Sequence, residues 1–95
     1  MAVQAVAVTA DATVQDVPAG GLTKLFGWSI QENAGSPAVA AFLIRAGSGG
    51  VIHGGASLAA SGSSTVWFGP NGVDVYGDIY FDLTAGSVTG AVYVG

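Results

Sequence analysis

The sequence predicts an all-β fold, a compact antiparallel β-sandwich or jelly-roll-like barrel of about eight short strands. Three observations lead there. Valine-rich apolar runs are separated by Gly, Ser, Pro and Asn clusters roughly every eight to twelve residues, the rhythm of short strands joined by turns. Several runs alternate apolar and polar residues with period two, which sets one strand face against a core. No long segment carries the apolar period of a helix, so a helical layer has no candidate.

Residues 2–9, AVQAVAVT, form the first predicted strand, because the branched Cβ of valine loses rotamer freedom in a helix and packs well on a pleated surface. A short alanine-supported helix is the competing reading. Residues 10–13 turn the chain, 13–17 extend again, and Pro18 with the following Ala-Gly-Gly closes the section. Residues 22–32 alternate most clearly, with Phe26, Trp28 and Ile30 on one side and Thr23, Leu25, Ser29 and Gln31 on the other. Gly27, between two aromatics, marks a bulge or a place where a large neighbour crosses the backbone.

The stretch NAGSP at 33–37 is a loop. Residues 38–46 are apolar on both faces, Phe42 and Ile44 opposite Val39, Leu43 and Arg45, and are read as a central or subunit-facing strand, with a helix possible. The next strand, 51–59, is expected to turn Ile52, Gly54, Ala56 and Leu58 inward, its small residues allowing close backbone approach. An aromatic strand at 64–68 leads into Gly69, Pro70, Asn71 and Gly72, whose fixed φ and tolerance of φ > 0 predict a tight reversal before a strand at 73–76. Residues 78–84 place Ile79, Phe81 and Leu83 inward, and the last strand runs over 88–94. The whole is one domain: residues 1–17 as an N-terminal strand or arm, and 18–95 as the sandwich.

Composition narrows the function classes. A chain of 95 residues buries only about two-thirds of its unfolded surface, so small domains need staples. It has no cysteine and one histidine, which leaves oligomerisation as the available staple. Only 8% of residues are charged, against about 25% in an average domain, and that implies a surface partly hidden in an assembly. Two basic residues and a net charge of −4 disfavour nucleic acid and anionic membranes, both of which need clustered Lys and Arg. The apolar N-terminus lacks the basic region and continuous apolar core of a signal peptide, which points to synthesis in a cytoplasm.

Catalytic chemistry has no candidate. His53 stands far from any acid in sequence, and no serine sits in a G-x-S-x-G elbow. Asp74, Asp78 and Asp82 recur every four residues, but straight strands spread carboxylates too widely for one calcium ion, so a solvated acidic face is expected. The glycine clusters match no nucleotide-binding pattern. No cofactor or metal is expected. Trp28, Trp67, Tyr76, Tyr80 and Tyr93 could build a sugar-stacking platform, although Trp28 is expected in the core, with Trp67 and Tyr80 the better candidates for exposure or an interface.

The succession LFGWSIQENAGSPAVAAFLIRAGSGG, SLAASGSSTVWFGPNGVDV and DIYFDLTAGSVTGAVYV resembles small all-β virion proteins of tailed bacteriophages. The likeness covers residues 22–94 and rests on the order of its motifs. It implies a non-enzymatic structural protein of the particle, first of all a capsid decoration (cement) protein that works as a homotrimer or other homo-oligomer on the major capsid protein at the capsid surface. A tail or head-fibre component and a small carbohydrate-binding module are the alternatives. Under this reading the interface candidates are Val3, Val6 and Val8 of the arm, which would reach a neighbour by strand addition, together with Trp67, Tyr80 and Tyr93.

Overall fold

The computed structural model describes residues 3–15 and 21–95. Nine strands and no helix are found among them: β1 (Gln4–Val8), β2 (Ala12–Gln15), β3 (Leu22–Glu32), β4 (Ala40–Ala46), β5 (Ile52–Leu58), β6 (Ser63–Trp67), β7 (Val73–Tyr76), β8 (Ile79–Ala85) and β9 (Val88–Val94). They form two antiparallel sheets packed as a β-sandwich. The first has the order β1-β9-β3-β6, with β7 also on β3, and the second β2-β8-β4-β5. The end of the predicted second strand at Asp16 and Val17 and the turn at Pro18 lie outside the described residues.

The core fills the space between the sheets with Phe42, Ile44, Ile79 and Phe81 from the second sheet and Leu25, Ile30, Val75 and Val92 from the first, each at most 1% exposed. Phe42 stacks on Phe81 at 5.3 Å, and Trp28 meets Phe42 edge-on at 5.7 Å, geometries that suit ring quadrupoles. Trp28 reaches across to β5, where a Cβ on Gly54 would stand 2.8 Å from its ring. This is the close approach that the small residues of that strand predict. The indole N–H donates to Ser64 Oγ at 3.1 Å, so the buried ring keeps its polar atom satisfied.

β4 lies between β8 and β5, central as expected, and Phe42 and Ile44 face the core. Two alternations break. In β3 the buried set changes parity, Thr23 and Leu25 at one end and Trp28, Ile30 and Glu32 at the other. The cause is a register shift between Leu25 and Gly27. Leu25 therefore belongs to the core, and Phe26, expected beside Trp28 and Ile30, lies outside the core cluster. In β5 a second shift pairs Ile44 with Gly54 but Arg45 with Ile52, which leaves His53 as the extra residue. Directly opposed residues share a face. Ile52 thus joins Arg45 on the outer side, 52% exposed instead of inward.

The predicted reversal at residues 69–72 is also corrected. β6 and β7 do not pair with each other: Ser63 to Trp67 run opposite Gln31 to Gly27, and Val73 to Tyr76 opposite Leu25 to Leu22. They lie end to end along the same edge of β3. Phe68 N–H still bonds Phe26 O at 2.8 Å, and residues 69–72 then leave the ladder in a small turn closed by Gly72 N–H on Gly69 O at 3.2 Å. Phe68 points back to the core edge, 5.7 Å from Trp28.

The described part of the N-terminal segment is built into the sandwich. β1 pairs along its whole length with β9, and β2 pairs with β8 in the other sheet. Asp11, in the crossing between them, accepts the Leu83 N–H at 2.7 Å.

Candidate functional site

The bulge in β3 shapes the outer face of the first sheet. Gly27 adopts φ +149°, and a Cβ there would stand 1.9 Å from Val66 O, so only glycine fits. Phe26 is thereby turned to the outside, where Trp67 stacks on it at 5.9 Å with 22° between the rings and Gly72 closes against its edge. Phe26 is 6% exposed and Trp67 56%. The outer aromatic is wide open and yet held from beneath.

Gly27 is paired with Trp67 on one side and Tyr93 on the other. The two aromatics therefore flank a glycine on one face, about 9–10 Å apart from strand spacing alone. The next rows along the sheet are polar, Ser29 opposite Thr65 and then Gln31 between Ser63 and Thr89. They line a groove of about 260 Å³. Its hydroxyls are partly pre-set, with Ser29 Oγ and Thr65 Oγ1 3.4 Å apart. Among the described residues no charged side chain lines it.

The six interface candidates separate into three places. Trp67 and Tyr93 come together on this face. Tyr80 stands on the outer face of the second sheet, opposite Arg45 and Thr13. Val3 is 43% exposed before β1, whereas Val8 is 2% exposed and Val6 packs against the core. Those two valines serve this chain's own interior, so among the three only Val3 is open to a neighbour.

The acidic residues do not form one face. Asp74 sits in the first sheet with Lys24 at 2.6 Å, Asp82 in the second with Arg45 at 2.8 Å, and Asp78 in the connection between β7 and β8. Among the described residues no three acidic or imidazole groups gather closely enough to hold a metal ion. His53 is half-buried at the β5 bulge.

Sequence reasoning missed Glu32. Its side chain is buried and its carboxylate accepts the Ser61 N–H at 2.7 Å and the Ala34 N–H at 2.6 Å. These bonds, Ser61 first, hold its pKa below the ordinary glutamate value by favouring the charged form. The carboxylate ties two loops together at one end of the sandwich, and Ser61 takes φ +60° to meet it. Its signal was present: Glu32 falls in phase with Trp28 and Ile30. The groove was legible too, since Ser63, Thr65 and Trp67 alternate outward on one short strand.

Comparison of the chain with protein-family profiles, with curated proteins and with solved structures finds no match.

Proposed function

We propose that this chain is a non-catalytic structural protein of a phage particle, a capsid decoration protein. It attaches in repeated copies to the major capsid protein and reinforces the shell through contacts between copies and with the lattice. The resemblance over residues 22–94 supplies the particle. One structural observation supports a role in contacts: large apolar side chains stay open on a chain that has 8% charged residues.

Tyr76 is 77% exposed, Val39 70%, Val51 69% and Leu22 49%. Leu22 and Tyr76 are direct cross-strand partners at the end of β3 and β7. Such a pair offers an apolar patch which a symmetric copy could cover, and each contact would be multiplied over the copies on a lattice. Burying apolar surface stabilises by about 25 cal/mol per Å² before the cost of association.

Light scattering on the purified chain tests the self-association. A trimer or other fixed multiple of the 9.3 kDa chain is expected. Leu22→Asp combined with Tyr76→Asp should return it to one copy with the β circular dichroism intact. A wild-type chain that stays monomeric at millimolar concentration overturns the oligomeric decoration reading.

A further inference from the structure

We infer that the outer face of the first sheet carries a binding site for a neutral saccharide, with Trp67 as the stacking platform and the groove beside it as the hydrogen-bonding floor. The inference is independent of attachment to a particle, because neither the groove nor Trp67 coincides with the Leu22 and Tyr76 patch.

A pyranose has a face of C–H bonds that lies on an aromatic ring and an equator of hydroxyls that both donate and accept. The site matches both halves. Trp67 is large, 56% exposed and already immobilised by its stack on Phe26, so little rotamer freedom remains to be lost on binding. Phe26 lies on the Val73 side of it, because Leu25 and Val73 form the next pair along the ladder. Thr65, the next outward residue from Trp67 along β6, belongs to the lining of the groove. There the Ser29, Ser63, Thr65 and Thr89 hydroxyls each donate and accept, and the Gln31 amide does both through separate atoms.

Charge decides among ligand classes. With no charged side chain among the described residues lining the groove, a phosphate or carboxylate would lose its hydration without an ionic partner. An aliphatic ligand would strip water from the hydroxyls and return no hydrogen bond. A volume of about 260 Å³ lies below the range of drug-sized pockets and suits a mono- or disaccharide unit. The single-site dissociation constant is expected on the order of 1 mM, as for a shallow open site.

The test is a glycan array carrying neutral gluco-, galacto-, manno- and N-acetylglucosamine oligosaccharides beside sialylated and sulfated ones. Titration of the best neutral oligosaccharide then follows, monitored by tryptophan fluorescence and amide NMR shifts. Binding to neutral glycans is expected, weakened about tenfold or more by Trp67→Ala and several-fold by Gln31→Ala or Thr65→Val. Tyr76→Ala should leave it unchanged. The groove variants keep the proposal falsifiable if Trp67→Ala disturbs the fold. No neutral glycan bound, anionic glycans alone bound, or affinity untouched by Gln31→Ala and Thr65→Val each overturns it.

Discussion

The two sheets of this sandwich start from the same kind of sequence and end with different outer surfaces. In the second sheet β4 keeps partners on both sides, and Phe42 and Ile44 face the core where the alternation puts them. In the first sheet β3 changes parity at Phe26 and Gly27, and the strand opposite interrupts its ladder at the same level with residues 69–72. One irregularity answers the other. A bulge that turns a phenylalanine outward exposes apolar surface, and Trp67 together with the inserted turn covers it. What results is an ordered aromatic on an open face, next to a hydroxyl-lined groove.

That contrast is sharpest between two phenylalanines. Phe42 is 1% exposed between the sheets, so Phe42→Ala removes its transfer energy and leaves a closed cavity, a loss of about 3–5 kcal/mol. Phe26, 6% exposed but outside the core cluster, would leave a dent that water can enter. Phe26→Ala is expected to cost about 1.5–3 kcal/mol. Urea unfolding of both variants checks the order, and equal losses would mean that Phe26 is a core residue after all.

Gly27→Ala should break the bulge directly. A Cβ 1.9 Å from Val66 O at φ +149° forces the β6 ladder apart, at about 3 kcal/mol or more. Gly35→Ala, with nothing within 4 Å of its Cβ, should stay within about 0.5 kcal/mol. Hydrogen exchange at the β6 amides is the sharper readout. It should accelerate in Gly27→Ala while the β4 and β8 amides keep more of their protection.

These particulars explain how far the sequence could be read. Strand positions were legible because alternation and turn residues are local properties; β3 spans the residues the alternation marks, 22 to 32. Parity across a bulge was not. Gly27 announced the bulge, and the register shift between Leu25 and Gly27 lies there, but which residues face inward on either side of it depends on the pairing with β9. The Gly-Pro-Asn-Gly segment announced a turn, yet nothing local says whether the chain folds back on itself or resumes along the same neighbour. The length of β3 was the missing clue, since an 11-residue strand has room for two partners of five and four residues on one edge. In the groove, Ser63, Thr65 and Trp67 were in phase, but Gln31 and Thr89 join them only through pairing.

Glu32 links the two sheets' loops and gives the fold a pH dependence. Its folded pKa is depressed by the Ser61 and Ala34 amides, so its contribution is present above the ordinary glutamate pKa and is lost as pH falls through the lower folded value. Melting temperature should therefore drop in acid below about pH 4.5 in the wild type. Glu32→Gln should melt lower at pH 7 and show a flatter acid limb. An acid limb of unchanged slope would place the dependence on other carboxylates.

The smallest effect separates the outer faces themselves. Arg45 and Asp82 on the second sheet are 22% and 26% exposed, and Arg45 Nη1 also donates to Gly50 O at 3.0 Å, so the pair fastens the β4–β5 turn. Lys24 and Asp74 on the first sheet are 42% and 48% exposed, and among the described residues no second side-chain bond of theirs accompanies the short contact. Asp82→Asn should cost about 1–2 kcal/mol, and Asp74→Asn at most about 0.5 kcal/mol. Raising salt from about 0.1 M to about 1 M shortens the screening length from about 10 Å to about 3 Å. The Asp74→Asn penalty should then vanish while most of the Asp82→Asn penalty survives. Equal salt sensitivity would show that the two faces are equally wet, and the difference between the sheets would then lie only in their interiors.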